Sequence, residues 1–183
     1  GRLIGTDIHG PCIDWARKRL ATRFDGHRFI HMDVFNAAYS PRGRSSARDW
    51  LGRFDERGFD VVVAKSFFTH VLPDELGVYL EQIAGRLRAG GTALLSFFLL
   101  SEEQALAAES GRSRLSFHPY AEAGRCAVRS PWAPTAAVAY ERGYLTDRFR
   151  SAGFAMDGLT VRHGAWSGRE GALSFQDIVL ARK

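Results

Sequence analysis

Short apolar segments that alternate with helical patterns constrain this chain more than any other feature of its sequence. These segments are rich in β-branched and aromatic residues and occupy positions 3–7, 28–33, 59–65 and 92–99. Runs of this length and composition are typical of buried parallel strands. Because each is followed by a helix or loop signal, the chain is predicted to form an open, mostly parallel α/β sheet with helices on both faces.

Helical patterns fill the intervals between the strands. Residues 11–22 begin with a proline suited to a first helical turn and place apolar side chains on one face. Residues 74–88 repeat apolar side chains at helical spacing, carry acids in the first turn and end before Gly90 and Gly91. A third helix is predicted over 141–152. These crossovers are what a parallel sheet requires.

The second half of the chain departs from this rhythm. Residues 101–134 contain glycine, serine, arginine and proline without a sustained period, which predicts an irregular insertion that caps the substrate. Two neighbouring strands, 155–163 and 173–182, predict a C-terminal antiparallel hairpin at the sheet edge. With no internal repeat or linker, residues 1–183 are predicted to form a single domain.

Composition excludes several function classes. The formal net charge is +5, but the arginines are scattered along the sequence, which favours a solvated surface over a nucleic-acid site. The two cysteines have no further ligand at metal-binding spacing, so no metal site is predicted. The chain carries no apolar run long enough to span a bilayer and no signal peptide, so the expected location is cytoplasmic, with no membrane partner.

Carboxylates follow the first two predicted strands, where ligands bind in open α/β sheets. Asp7 ends the first strand, and its carboxylate can accept hydrogen bonds from two adjacent ribose hydroxyls. Asp33 ends the second and can accept from an adenine amine, with Ile8 and Val34 supplying apolar contact to the ring. Each aspartate alone could equally be a helix cap or a turn residue.

Several local strings resemble class I S-adenosylmethionine-dependent methyltransferases of the bacterial type that act on small molecules or glycans. The likeness extends over the whole chain and is carried by the strings Gly5-Thr6-Asp7-Ile8, Met32-Asp33-Val34, Phe59-Asp60-Val61-Val62, Ser66-Phe67-Phe68-Thr69-His70-Val71, Leu87-Arg88-Ala89-Gly90-Gly91-Thr92 and Ser174-Phe175-Gln176-Asp177-Ile178-Val179. The resemblance implies a Rossmann-like fold and S-adenosylmethionine as cofactor.

By this resemblance, Asp7 binds the cofactor ribose, Asp33 the adenine, and the backbone near Lys65 and Ser66 the methionine portion. One departure from the family pattern stands out. The first strand and the glycine-rich loop after it are missing, because Gly1 opens directly into what resembles the second strand. The expectation is therefore that the sequence is a truncated record of a longer protein.

Methyl transfer from a sulfonium needs an acceptor atom held in line and, for a protonated acceptor, a base. His70 follows the third predicted strand, and a neutral imidazole can deprotonate a hydroxyl near neutral pH, so His70 is the candidate base. The alternative is a histidine bonded to backbone in a helix-entry loop. His9, His118 and His163 are weaker candidates, and loop aromatics such as Trp132 and Trp166 could wall a substrate cavity.

The predicted function is methyl transfer to an oxygen or nitrogen atom of a small-molecule or glycan acceptor. Two alternatives remain open. A methyltransferase-like module without catalytic activity could bind or act as a scaffold, because fold does not fix function. An NAD(P)-dependent oxidoreductase also places acids at strand ends, but the sequence contains no Tyr-x-x-x-Lys pair.

Overall fold

Strands and helices alternate through the two units of the chain, Gly1–Asp55 and Glu56–Lys183. The structure is a computed structural model that describes residues 1–120 and 125–183. Parallel and antiparallel strand pairs both occur, so the architecture is the predicted α/β class, with the described strands in three sheets rather than one. The expectation of a single domain over 1–183 stays a prediction.

The first unit is built on a parallel strand pair. Its strands are β1 (Ile4–Asp7) and β2 (Arg28–His31), which confirm the first two predicted strands. The crossover between them is α1 (Gly10–Arg19), with a proline in its first turn as predicted. Because Ile13 and Ala16 are the buried residues of α1, the helix presents one apolar face, which covers the strand pair. A short helix, α2 (Ala47–Gly52), follows, capped by the side chain of its preceding serine.

A four-stranded sheet with the order β3-β4-β10-β9 forms the centre of the second unit. The parallel pair β3 (Phe59–Ala64) and β4 (Leu87–Phe97) contains the third and fourth predicted strands. The predicted hairpin is confirmed, because β9 (Ala155–Arg162) pairs antiparallel with β10 (Asp177–Arg182). Among the described residues β3 pairs with β4 alone and is therefore an edge strand.

Two helices of this unit match the predicted patterns. Helix α3 (Pro73–Arg86) ends before Leu87, which is already extended, so the helix is slightly shorter than predicted. Gly90 then adopts a positive φ of 71° in the irregular start of β4, a conformation that glycine adopts readily. Helix α5 (Arg142–Ser151) confirms the third predicted helix. None of the helices in the described ranges is both long and apolar enough to cross a bilayer.

Aromatic side chains dominate the core of the second unit. Phe68 stacks on Phe97 with ring centroids 4.9 Å apart, and Phe149 meets Phe97 edge-on at 6.1 Å. All three are fully buried. Burial of such a side chain contributes about 1.5–3 kcal/mol, so this cluster fixes the end of β4 against α5 and the segment after β3.

The expectation of an irregular insertion at 101–134 is wrong. The segment contains α4 (Glu102–Glu109), β6 (His118–Tyr120) and β7 (Cys126–Val128). With β5 (Leu99–Leu100) and β8 (Val138–Glu141), these strands form a second four-stranded sheet, β5-β8-β7-β6. The three-residue strands are too short to show a period of two, which is why the sequence pattern concealed them. The Ser101 side chain accepts a hydrogen bond from the Gln104 N–H at the start of α4. A serine followed three residues later by a glutamine is a sequence pattern that predicts the start of a helix.

Candidate functional site

An open cleft in the first unit lies beside the end of β1. It has a volume of about 510 Å³, and its lining comes from β1, α1 and one residue of β2: Gly5, Thr6, Asp7, Pro11, Cys12, Ile13, Trp15, Ala16 and Phe29. Asp7 is exposed there, and its Oδ1 accepts the His9 N–H at 2.8 Å. The other carboxylate oxygen of Asp7 has no partner among the described residues. Asp7 is therefore placed where a ligand can reach one of its oxygens.

The loop after Asp7 is held by a residue that the sequence analysis did not identify. The His31 Nε2 lies 3.0 Å from the Ile8 carbonyl oxygen, which makes Nε2 the donor. The backbone N–H of Met32 also donates to the Asp7 carbonyl at 2.8 Å. These contacts fix the chain direction between β1 and α1. Ile8 is half-buried, and its contact with a ligand ring stays a prediction.

Asp33 is tied to the loop that follows it. Its Oδ2 accepts from Arg44 Nε at 2.7 Å, and its Oδ1 accepts from the Arg44 backbone N–H at 3.3 Å. The Arg44 guanidinium holds the pKa of the Asp33 carboxyl below its usual range, because the hydrogen bond stabilises the charged form. Asp33 thus anchors the loop. A carboxylate offers about four acceptor positions, so it retains capacity for a further donor.

Val34 is too buried to give an adenine ring the apolar contact that the sequence predicted. Its side chain is only 2% exposed and packs inside the first unit. The neighbouring Phe35 N–H and Asp33 carbonyl both bond to Ser45, whereas the Val34 N–H has no acceptor among the described residues. The Asp33 carboxylate and the Val34 N–H are therefore an acceptor and a donor on consecutive residues.

Substitution of Gly43 by alanine should disrupt the loop between Asp33 and Arg44. A Cβ at Gly43 would lie 2.2 Å from the Val34 carbonyl oxygen and 2.5 Å from the Phe35 nitrogen, so the backbone must move. We expect the free energy of unfolding to fall by about 1–3 kcal/mol, the cost typical of overpacking. Urea denaturation measures this, with Gly52→Ala as control because a Cβ there meets nothing within 4 Å. Equal stability of both variants would contradict the described loop packing.

In the second unit, the segment after β3 has an unusual backbone. Lys65 and Ser66 are exposed, and Ser66 has a φ of 54°, the only positive φ of a non-glycine residue in the described ranges. Such conformations are unfavourable for L-residues and persist where surrounding contacts impose them. The Ser66 N–H donates to Ser96 Oγ at 2.7 Å, which is one such contact.

One glutamine joins both ends of this segment. Gln176 Oε1 accepts from Ser66 Oγ at 3.0 Å and from Ser96 Oγ at 2.7 Å. Gln176 Nε2 donates to Thr69 Oγ1 at 3.4 Å. Gln176 appeared in the sequence analysis only within a matching string, and Ser96 and Thr69 had no assigned role as site residues. Nothing local in the sequence links positions so far apart along the chain.

His70 lies in a 3-10 turn, Phe68–His70, and is half-buried. Its Nδ1 is 2.9 Å from the carbonyl oxygen of Thr135. Because a carbonyl only accepts, Nδ1 carries the proton, and in the neutral ring the lone pair lies on Nε2. The contact is the one expected for a backbone-bonded histidine, and the role of His70 as a base stays a prediction.

A buried carboxylate organises the residues next to Gln176. Asp177 is 1% exposed and accepts hydrogen bonds from the Leu99 N–H at 2.8 Å, the Gly164 N–H at 2.8 Å and Trp166 Nε1 at 2.7 Å. His163 Nδ1 is 3.5 Å from the same carboxylate, which gives this weaker candidate a structural partner. Trp166 is fully buried, so its expected place in a substrate wall is wrong, whereas Trp132 is 96% exposed.

The described histidines, cysteines and carboxylates form no group of three that could hold a metal ion. No protein-family model matches the chain. Comparison with solved structures, in contrast, gives consistent matches.

Three of these structures illustrate the likeness. The 1,6-didemethyltoxoflavin-N1-methyltransferase of Burkholderia thailandensis, solved with 1,6-didemethyltoxoflavin and S-adenosylhomocysteine, is 20% identical, with a TM-score of 0.54 over 100% of this chain and 61% of that one. A S-adenosylmethionine-dependent methyltransferase of Methanosarcina mazei is 19% identical, with a TM-score of 0.56 over 98% and 81%. A TehB-like methyltransferase of Corynebacterium glutamicum is 16% identical, with a TM-score of 0.51 over 100% and 68%. The chain therefore spans less than two thirds of the Burkholderia protein and shares its fold.

Proposed function

We propose that this chain, which has the fold of the class I S-adenosylmethionine-dependent methyltransferases, binds S-adenosylmethionine and takes part in methyl transfer to a small acceptor. The observation that carries the proposal is Asp7 at the carboxyl end of β1, beside a cleft and with one carboxylate oxygen open to a ligand. Ligands of open α/β sheets bind at this end of the strands. Binding of S-adenosylhomocysteine by the Burkholderia protein supports the choice of cofactor.

The residues of the first unit fit the nucleoside part of this cofactor. An open Asp7 oxygen can accept from ribose hydroxyls. The Val34 N–H, which lacks an acceptor among the described residues, can donate to an adenine ring nitrogen, while the Asp33 carboxylate accepts from its amine. Ile8 supplies apolar contact. The assignment of the Lys65 and Ser66 backbone to the methionine portion rests on the family resemblance of the sequence and is a separate proposal for the second unit.

When bound, the cofactor supplies a methyl group on a positively charged sulfur, which an acceptor atom can displace. The protein must hold the acceptor in line and take up its proton. We assign proton uptake to His70, whose Nδ1 contact with Thr135 leaves the lone pair of the neutral ring on Nε2. In this role Nε2 would hold the proton that the acceptor atom loses.

The acceptor in this proposal is a small molecule or glycan that is methylated on oxygen or nitrogen. Proton uptake by an imidazole suits a hydroxyl or a protonated nitrogen. Support for a small acceptor comes from the Burkholderia protein, whose structure contains 1,6-didemethyltoxoflavin. Trp132, 96% exposed and three residues before Thr135, offers an aromatic surface on the segment that holds His70.

Substitution of Asp7 by alanine tests the cofactor site. We expect S-adenosylmethionine binding to weaken by about 1–3 kcal/mol, the scale of a lost hydrogen bond to a charged group. Isothermal titration calorimetry on the full-length protein measures the change, with Asp25→Ala as a control elsewhere in the first unit. A folded Asp7→Ala variant with wild-type affinity would exclude Asp7 from the site. No binding by the wild-type protein would favour the scaffold alternative.

A further inference from the structure

The short segment from Lys65 to His70 carries two of the roles proposed above. Ser66 contributes its backbone to the methionine portion of the cofactor, and His70 takes up the acceptor proton. The two residues are four positions apart, and the segment is exposed at Ser66 and half-buried at His70. A segment of this kind must be held in one conformation, since misplacement of reacting groups by about 1 Å can cost two orders of magnitude in rate.

Three hydrogen bonds, two of them in series, hold the first end of the segment. The Ser66 N–H donates to Ser96 Oγ at 2.7 Å, and Ser96 Oγ in turn donates to Gln176 Oε1 at 2.7 Å. Ser66 Oγ donates to the same Gln176 oxygen at 3.0 Å. Gln176 therefore acts on Ser66 both directly and through Ser96, which is 3% exposed and fixed at the end of β4.

The second end of the segment is held by the other half of the same carboxamide. Gln176 Nε2 donates to Thr69 Oγ1 at 3.4 Å, and Thr69 is fully buried directly before His70. The orientation of the carboxamide follows from its partners, because the oxygen must face the two serine hydroxyls. One side chain thus spans the segment from Ser66 to Thr69.

Gln176 is itself held by its neighbour. Asp177 receives three N–H donors and is 1% exposed, so the backbone at the start of β10 is fixed. The positive φ of Ser66 is unfavourable without compensation, and the Gln176 and Ser96 contacts are the ones that compensate it.

We propose that Gln176 is a positioning residue for methyl transfer, which holds the Ser66 backbone and the His70 side chain in register with each other. The inference rests on the proposed function for its kinetic consequence. That the hydrogen bonds of Gln176 fix the conformation of residues 65–70 does not depend on the proposed function.

The test compares two substitutions of Gln176 in the full-length protein. Gln176→Leu removes every hydrogen bond of the carboxamide, and we expect kcat/KM for methyl transfer to fall at least tenfold at a temperature where the variant is fully folded. Gln176→Glu keeps an acceptor for both serines, and the Thr69 hydroxyl can turn to donate to the second oxygen, so this variant should recover most of the activity. Glu81→Leu, which also places a leucine on a helix of this unit but at an exposed position of α3, is the control.

A second measurement does not depend on catalysis. Amide hydrogen exchange at Ser66 and His70 should accelerate at least tenfold in Gln176→Leu and stay near wild type in Gln176→Glu. Unchanged exchange in Gln176→Leu overturns the inference, whether or not the protein proves to be a methyltransferase. An active wild-type protein with unchanged kcat/KM in folded Gln176→Leu also overturns it. A wild-type protein without methyl transfer refutes the proposed function, and the exchange data then decide the inference alone.

If Gln176→Leu does not fold, Ser66→Ala replaces it in the test. The position is exposed, so folding should be retained, and the substitution removes one of the two donors to Gln176 Oε1. We expect at least a threefold loss of kcat/KM and faster exchange at Ser66, whereas Ser174→Ala should match wild type. Wild-type exchange and kinetics in Ser66→Ala would overturn the inference.

Discussion

Replacement of His70 by alanine should lower kcat for methyl transfer at least ~100-fold, because a positioned general base contributes about two to four orders of magnitude to proton transfer. The Thr135 carbonyl accepts from Nδ1, so in the proposed role Nε2 takes up the acceptor proton. Cofactor affinity should remain at the wild-type level, since none of the proposed cofactor contacts involves the imidazole. Single-turnover kinetics with the true acceptor, together with calorimetric titration, separate the two quantities.

His27→Ala is a suitable control, because His27 lies in the first unit and has no assigned role in methyl transfer. Wild-type turnover in a folded His70→Ala variant would leave His70 with only its structural contact to Thr135. A loss of cofactor affinity in parallel with kcat would instead indicate that the segment from Lys65 to His70 had rearranged.

Asparagine at position 177 should reduce the free energy of unfolding by about 3 kcal/mol. Asp177 accepts three N–H donors with two charged oxygens in a site that is 1% exposed, and hydrogen bonds to a charged group are each worth about 1.5–3 kcal/mol. Asparagine keeps one oxygen but turns an NH₂ group towards donors. For a chain of this size the melting temperature should fall by roughly 6–12 °C.

Differential scanning calorimetry measures the change, with Asp147→Asn as the matched control. The Asp147 side chain is 63% exposed and forms an ion pair with Arg150 within one helix. Exposed ion pairs of this kind contribute at most about 1 kcal/mol to the free energy of unfolding. A melting temperature for Asp177→Asn within about 2 °C of wild type would mean that the Leu99, Gly164 and Trp166 donors find other acceptors.

The elements that the sequence predicted correctly are those whose pattern is local. Strand β1 and helix α1 are examples. A short apolar run predicts the strand, and apolar residues at helical spacing predict the helix, because each pattern arises from residues close together in the sequence. The strands β6 and β7 escaped prediction because each has three residues, fewer than a periodic pattern needs. Their stability comes from pairing in the small sheet rather than from propensity.

The candidate site was predictable to a lesser extent. Asp7 and Asp33 were proposed because they end predicted strands, but the Arg44 contact of Asp33 depends on a loop conformation that residue types do not specify. Gln176 lies 110 positions from Ser66 and 80 from Ser96 along the chain. Contacts at such separation are set by strand order, which the sequence pattern indicated only in outline.

The antiparallel direction of β10 has a practical consequence for protein engineering. Because β10 enters between β4 and β9 against the direction of β4, its first residues lie at the end of β4 where Ser96 is found. Its last residues return to the opposite end, where the Lys183 carbonyl accepts the Gly90 N–H at 2.9 Å and the Lys183 N–H donates to Gly91 at 3.0 Å. A segment joined after Lys183 would therefore start at the end of the sheet opposite Gln176.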